Sequence, residues 1–337
     1  MRIFSYRNKR TLRRIALIAL LAVVLLGLLI LARISYLGRY AVYSPDGVYF
    51  DKTQKLQRAP QTPEAASDAE EYPFETILSA AAEETDVDPN AVQLQGVYIS
   101  TTMLANSVDE VRQALADADG YNAVLIDVKS PLGNFYYSTD IADTQTADAD
   151  ISACDALIKE LTETPDLIVI ARVPAFSDPN FVAKHYSSAL TTKSGDLWMD
   201  ERRCYWLRPD SLDARSYLAA IALELDARGF DEVLFDNFTV PDDDSVAWDT
   251  EAMTQVAALE DCAETLGANL TGGSIRLALG TTVPSVAQYA SRVYITTEKA
   301  NDVMTVTEAM AEVLPDPSTQ LVFVTTSHDT RFDASGV

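Results

Sequence analysis

From Leu94 to Thr325 the chain repeats one unit, a short run of apolar residues followed by a stretch whose apolar residues recur at helical spacing. The runs predict strands over 96–100, 123–128, 167–173, 233–238, 275–279, 292–296 and 320–325. Between them the spacing predicts helices over 107–119, 152–163, 212–228, 250–266 and 303–313. Ser107-Val108-Asp109-Glu110 reads as a capping box, and Gly229 is placed as a left-handed helix terminator. A strand that is apolar on consecutive residues is buried on both faces, as in a parallel sheet covered by helices. The alternation therefore calls for parallel β/α units, in either an open sheet or a closed barrel. Seven strands are recognisable and 12 residues follow Thr325, too few for another helix and strand of ordinary length. A barrel built from this sequence is thus expected to be incomplete or closed by an atypical segment.

The residues before this repeat have a different character. Ile15 to Ala32 are 18 uncharged, mostly aliphatic residues. As a helix rising ~1.5 Å per residue they reach close to the ~30 Å hydrocarbon core of a bilayer. Eight basic residues and no acid lie in residues 1–40, six of them ahead of the apolar run. That asymmetry keeps the N-terminus cytoplasmic and puts the rest outside the cytoplasm. No small-x-small cleavage site follows, so an uncleaved anchor is expected, with a cleaved signal as the competing reading. Between Pro60 and Val92 there are nine acids and no base, with Pro60, Pro63 and Pro73. Such a stretch repels itself and predicts an extended or partly helical spacer. The expected organisation is a cytoplasmic stub at 1–14, a transmembrane helix at 15–32, an acidic tether at 33–93 and a barrel at 94–337.

Outside residues 1–40 the chain carries 18 basic and 50 acidic groups. A body of that charge repels phosphate backbones, which excludes nucleic acid as a partner. No GxGxxG or GxxxxGK[ST] follows a strand, so no nucleotide cofactor is indicated. Cys154, Cys204 and Cys262 lack CxxC spacing, and no HExxH or histidine cluster marks a metal site. Ser327-His328-Asp329 holds the residue types of a hydrolytic triad, but three consecutive residues cannot face one another.

Carboxylates at strand ends remain. Asp127, Asp236 and Glu298 each follow an apolar run, and two carboxyl groups at one mouth are what glycoside hydrolysis requires. Asp236 is the primary candidate, with Asp127 as its partner and Glu298 as a further acid. Lys129, two residues beyond Asp127, is expected on the same strand face, either in a salt bridge with it or at the substrate. Arg172, Tyr98 and Asn237 are further strand-end candidates for substrate contact. Trp198, Asp200 and Trp206 join them from a long loop, where aromatic faces can stack on sugar rings or form a local core.

The stretches 96–100, 122–129 with Gly133, 171–173 with 176–179, 195–200, Trp206 with Pro209, and 229–236 resemble a family of bacterial TIM-barrel proteins named "putative glycoside hydrolase domain", similar to α-amylase-like barrels. The resemblance implies a TIM-type barrel outside the cytoplasmic membrane and, by analogy, a polysaccharide or cell-wall glycan as partner. It also shows departures. The family continues its Phe-Asp pair with Tyr-x-Arg-Phe-Pro, whereas this chain reads Asn237-Phe238-Thr239-Val240-Pro241. The acid usual on the next strand is missing from 275–280, which leaves Glu298 to restore a second carboxylate further on. The expectation is a membrane-anchored glycoside hydrolase-like protein acting on or binding an envelope or extracellular glycan, with a non-catalytic binding barrel as the alternative.

Overall fold

The computed structural model describes residues 41–44, 47–50, 92–297, 299–329 and 332–336. The apolar run 15–32 and the acidic stretch 60–91 lie outside these residues, and among the described residues no helix is long and apolar enough to cross a membrane. Within the segment expected as a tether, β1 (Ala41–Ser44) and β2 (Gly47–Phe50) pair as an antiparallel hairpin.

The barrel begins with β3 (Gly96–Ile99) and β4 (Ala123–Asp127). A small pair, β5 (Asn134–Phe135) and β6 (Gln145–Thr146), follows in the loop. The main series continues with β7 (Ile168–Pro174), β8 (Glu232–Asp236), β9 (Arg276–Leu279), β10 (Arg292–Thr296), β11 (Leu321–Thr325) and β12 (Ala334–Gly336). Each strand of this series pairs in parallel with the next, and β12 pairs with β3, so eight strands close a barrel. Of the two expectations, the incomplete barrel is therefore corrected, and closure by an atypical segment is what the structure shows. The twelve residues after Thr325 suffice because β12 is three residues long and no described helix separates it from β11. The turn is tied locally instead. Asp333 accepts the Phe323 amide on its carboxylate at 2.6 Å and the Gly96 amide on its carbonyl at 2.5 Å.

The helices fall close to their predicted spans, at Val108–Asp117, Ile151–Thr162, Leu212–Ala227, Gln255–Leu270 and Ala300–Met310. Ser107 Oγ accepts the Glu110 amide at 3.2 Å as half of the expected capping box, and Gly229 takes φ +86° at the end of Leu212–Ala227. Thr254 rather than Thr250 starts the fourth of these helices, because its Oγ1 caps the Ala257 amide.

Strand residues alternate between two cores. Outward-facing Val97, Val124, Val169, Val233, Leu277 and Val293 pack in the large core under the helices. Inward-facing Tyr98, Leu125, Ile170, Leu234, Ala278 and Tyr294 fill the barrel itself. Because side chains alternate with period two, the residues one step beyond the inward set also point to the axis. At one end these are Glu232, Arg276 and Arg292. At the other they are Asp127, Arg172, Asp236 and Thr296. The interior is thus apolar in its middle and charged at both ends.

Candidate active site

The C-terminal ends of barrel strands share one face, where active sites of this architecture are built. There Asp127 and Arg172 are register partners on β4 and β7, while Asp236 pairs with Pro174 across β7 and β8. Arg172 links all the groups. Its Nη1 donates to Asp127 Oδ1 at 3.2 Å and to Tyr98 Oη at 3.1 Å. Its Nη2 donates to Asp236 Oδ2 at 2.7 Å and to Thr296 Oγ1 at 3.3 Å. Tyr98 in turn donates its hydroxyl to Asp127 Oδ2 at 2.6 Å. One guanidinium between the carboxylates keeps them inside the ~10 Å limit for carboxyl pairs that act together in glycoside hydrolysis.

The environments of the two acids differ. Asp127 has both oxygens engaged, and burial raises its pKa above the ordinary aspartate value although Arg172 and Tyr98 pull the other way. Burial and then the Asp127 charge push the Tyr98 hydroxyl up, so it remains a donor. For Arg172 burial is the largest influence and opposes its charge, but Asp236 and Asp127 outweigh it and its pKa ends above the usual guanidinium value. Asp236 has only Oδ2 bound, and among the described residues nothing donates to Oδ1. That free oxygen lies over Gly280, where a Cβ would come within 2.7 Å of it and 3.0 Å of the Asp236 Cα. The absence of a side chain at 280 therefore makes room for the carboxylate. Asn237 next to it takes φ +51°, a left-handed conformation that asparagine tolerates better than most residues. Asp236, Asn237, Thr239, Thr281, Thr282 and Thr296 border a cavity of about 180 Å³, together with Gly280, over which the free oxygen lies.

The other sequence candidates are distributed as follows. Lys129 does not share a face with Asp127, because β4 ends at Asp127 and the period-two relation ends with it. It turns into the protein, fully buried, and pairs with Asp178 at 2.9 Å. Trp198 and Trp206 are largely buried and meet edge to face at 5.7 Å. Their indole N–H groups are taken by Asp243 at 2.9 Å and Asp200 at 3.0 Å, respectively. Trp206, Asp200 and Asn237 border a second cavity. Glu298 lies outside the described residues. Gly280 and the threonines at 239 and 296 were not singled out from sequence, although Arg276-x-Ala278-x-Gly280 and Arg292-x-Tyr294-x-Thr296 carry the inward period that finds Gly280 and Thr296. Thr239 lies beyond β8 in a loop with no such signal. The three cysteines are buried and unbridged, and among the described residues no three His, Cys, Asp or Glu side chains form a group suited to a metal.

A sequence model of the family described as "Putative glycosyl hydrolase domain" matches residues 96–305, more than half of the chain. The chain belongs to this family. The matched span begins with β3 and takes in Asp127, Arg172 and Asp236. Among solved structures, a hypothetical protein from Ruminiclostridium thermocellum is similar at 23% identity over 54% of this chain and 96% of its own, with a TM-score of 0.47. Ega3 of Aspergillus fumigatus, solved with galactosamine, is similar at 13% identity over 70% of this chain and 78% of its own, with a TM-score of 0.46. The glycoside hydrolase domain of PelA from Pseudomonas aeruginosa is similar at 13% identity over 69% of this chain and 84% of its own, with a TM-score of 0.43. No curated protein sequence matches the chain.

Proposed function

We propose that this chain is a membrane-anchored, extracytoplasmic glycoside hydrolase acting on a cell-envelope or extracellular polysaccharide. The observation that carries the reading is the pair of carboxylates held by one arginine, with Asp236 Oδ1 left open to a hydroxyl-bordered cavity. Asp236 attacks the sugar or activates water, since it borders the cavity and only its Oδ2 is bound by Arg172. Asp127 supplies the proton, because burial favours its protonated form as a general acid requires. Glu298, after the end of β10, is the further acid. Tyr98, Arg172 and Asn237 are placed to contact the substrate or hold the acids. The run at 15–32 anchors the chain, and 33–93 spaces the barrel at 94–337 from the bilayer.

One observation favours the alternative of a barrel that binds glycan or a protein partner at the cell surface without turnover: both oxygens of Asp127 are already occupied, by Tyr98 and Arg172. Release of reducing sugar from purified wall polysaccharides by the full-length chain, compared with Asp236→Asn, separates the two readings. Release that disappears in Asp236→Asn supports hydrolysis. Equal release by both proteins overturns the role of Asp236, and binding without release supports the alternative.

A further inference from the structure

The second cavity, of about 250 Å³, lies beside the first and shares Asn237 with it. Its walls include Pro131 from the loop after β4, Pro174 and Ser177 at and just beyond the end of β7, and Trp206, Arg202 and the acids Asp200 and Glu201 from the long loop. Prolines and an indole offer flat apolar surface, while Ser177, Arg202 and Asn237 offer polar groups. That mixture suits a sugar ring, which has C–H faces and a rim of hydroxyls.

The walls are fixed from behind. Ser177 Oγ donates to the Pro131 carbonyl at 2.8 Å, and Lys129 Nζ donates to the Ser177 carbonyl at 3.4 Å. Lys129 also pairs with Asp178, which accepts the Tyr217 hydroxyl at 2.7 Å and the Phe181 amide at 2.8 Å. A fully buried ion pair is costly to desolvate, and such pairs are poor sources of stability. What this one does is lock two loops together where they form the cavity wall. Trp206 is oriented by Asp200, whose other oxygen accepts the Cys204 amide at 2.8 Å. These internal hydrogen bonds hold the wall residues in place, as a preorganised site requires.

We infer that this cavity is a second sugar subsite, so that the chain takes an oligosaccharide lying across Asn237 rather than a single terminal sugar. The inference rests on reading the Asp236 cavity as a sugar site. Lys129 acts in it as a positioning residue, through the Ser177 wall.

The test is binding to the full-length Asp236→Asn chain, which separates occupancy from turnover. The probes are ladders of one to six sugars from the cello-, malto-, chito- and galactosamine series, followed by tryptophan fluorescence and calorimetry. Affinity is expected to rise at least about tenfold from one sugar to two or more in one of the series. That gain is expected to fall by about tenfold in Trp206→Phe and in Arg202→Ala, the latter an exposed position whose change does not threaten folding. Affinity independent of length, a gain untouched by both variants, or no binding in any series overturns the subsite. Length-dependent binding by a wild-type chain that releases no sugar upholds the subsite and overturns hydrolysis. Hydrolysis without length-dependent binding does the reverse.

Discussion

Replacing Arg172 with methionine is expected to destabilise the barrel strongly at neutral pH and only weakly in acid. The substitution keeps most of the side-chain volume and removes the one cation between Asp127 and Asp236, whose side chains are 15% and 14% exposed. Removing one partner from a buried charge group typically costs about 3–5 kcal/mol, because the remaining charge is left uncompensated. Here two carboxylates would be left, so the upper part of that range applies. For a domain of this size each kcal/mol moves the melting midpoint by about 2–4 °C, which predicts a fall of about 10–20 °C. The pH dependence follows from linkage. Asp127 is already raised by burial, and without Arg172 it loses the neighbouring charge that lowers its pKa, so its folded-state value rises further. The stability it contributes is then fully present below the unfolded pKa and is lost as pH rises through that raised folded value. The deficit against wild type should be smallest in acid and grow toward neutral pH as Asp127 ionises. Thermal melts of wild type, Arg172→Met and Arg172→Lys across that range read it directly, with lysine intermediate because it keeps the charge but not the fork. A deficit that is constant with pH, or larger in acid, would refute the assignment of Arg172 as the counter-charge of this pair.

Three further outcomes follow from the same geometry. Gly280→Ala places a methyl 2.7 Å from Asp236 Oδ1 and 3.0 Å from backbone, which should cost about 1–3 kcal/mol. Sugar release should fall at least tenfold with the far-ultraviolet dichroism unchanged, and unchanged release would separate Asp236 from the reaction. If Asp127 is the proton donor, activity should decline as pH rises through its raised pKa, and Asp127→Asn should flatten that limb of the pH–rate profile. A profile identical in both proteins would move the role to Glu298. Glu232→Gln, at the opposite end of the barrel, should lower the melting midpoint without changing kcat per folded molecule, measured by urea melts and sugar release together.

Much of this fold was legible from the continuous apolar strands, which specify parallel β/α units whatever the closure. The closure itself was not. β12 consists of Ala334, Ser335 and Gly336, a segment with no apolar run, and it is a strand only because β11 and β3 present unpaired edges on both sides. A gap in a barrel supplies tertiary context that outweighs the weak strand preference of such residues. The strand-end acids were legible for a related reason: a charge ending a buried run must sit at a rim. Lys129 was misplaced because the two-residue period holds only while the strand lasts, and β4 stops at Asp127. The tryptophans were read as either sugar platforms or local core. The structure shows them packed together with both indole N–H groups satisfied, and Trp206 borders a cavity.

The two ends of the barrel interior show why burial of charge alone does not mark a site. At one end Glu232 is fully buried and both its oxygens are engaged, Oε1 by Arg292 and Arg276 and Oε2 by Tyr294. Arg292 also donates to the carbonyls of Thr319 and Val92. The result is a network that satisfies the buried carboxylate internally, and it ties β8, β9 and β10 together. At the other end an arginine again binds carboxylates, but Asp236 keeps a free oxygen and the surrounding threonine hydroxyls border a cavity. The same inward period on β8 contributes both groups, Glu232 at one end and Asp236 four residues later at the other. What distinguishes them is unspent hydrogen-bonding capacity facing open space. By that criterion Asp127, although adjacent to Asp236, resembles Glu232 more closely until its proton is called on. On the proposed reading, its role as proton donor should therefore appear in the pH dependence of kcat, and substrate affinity should change little when it is replaced by asparagine.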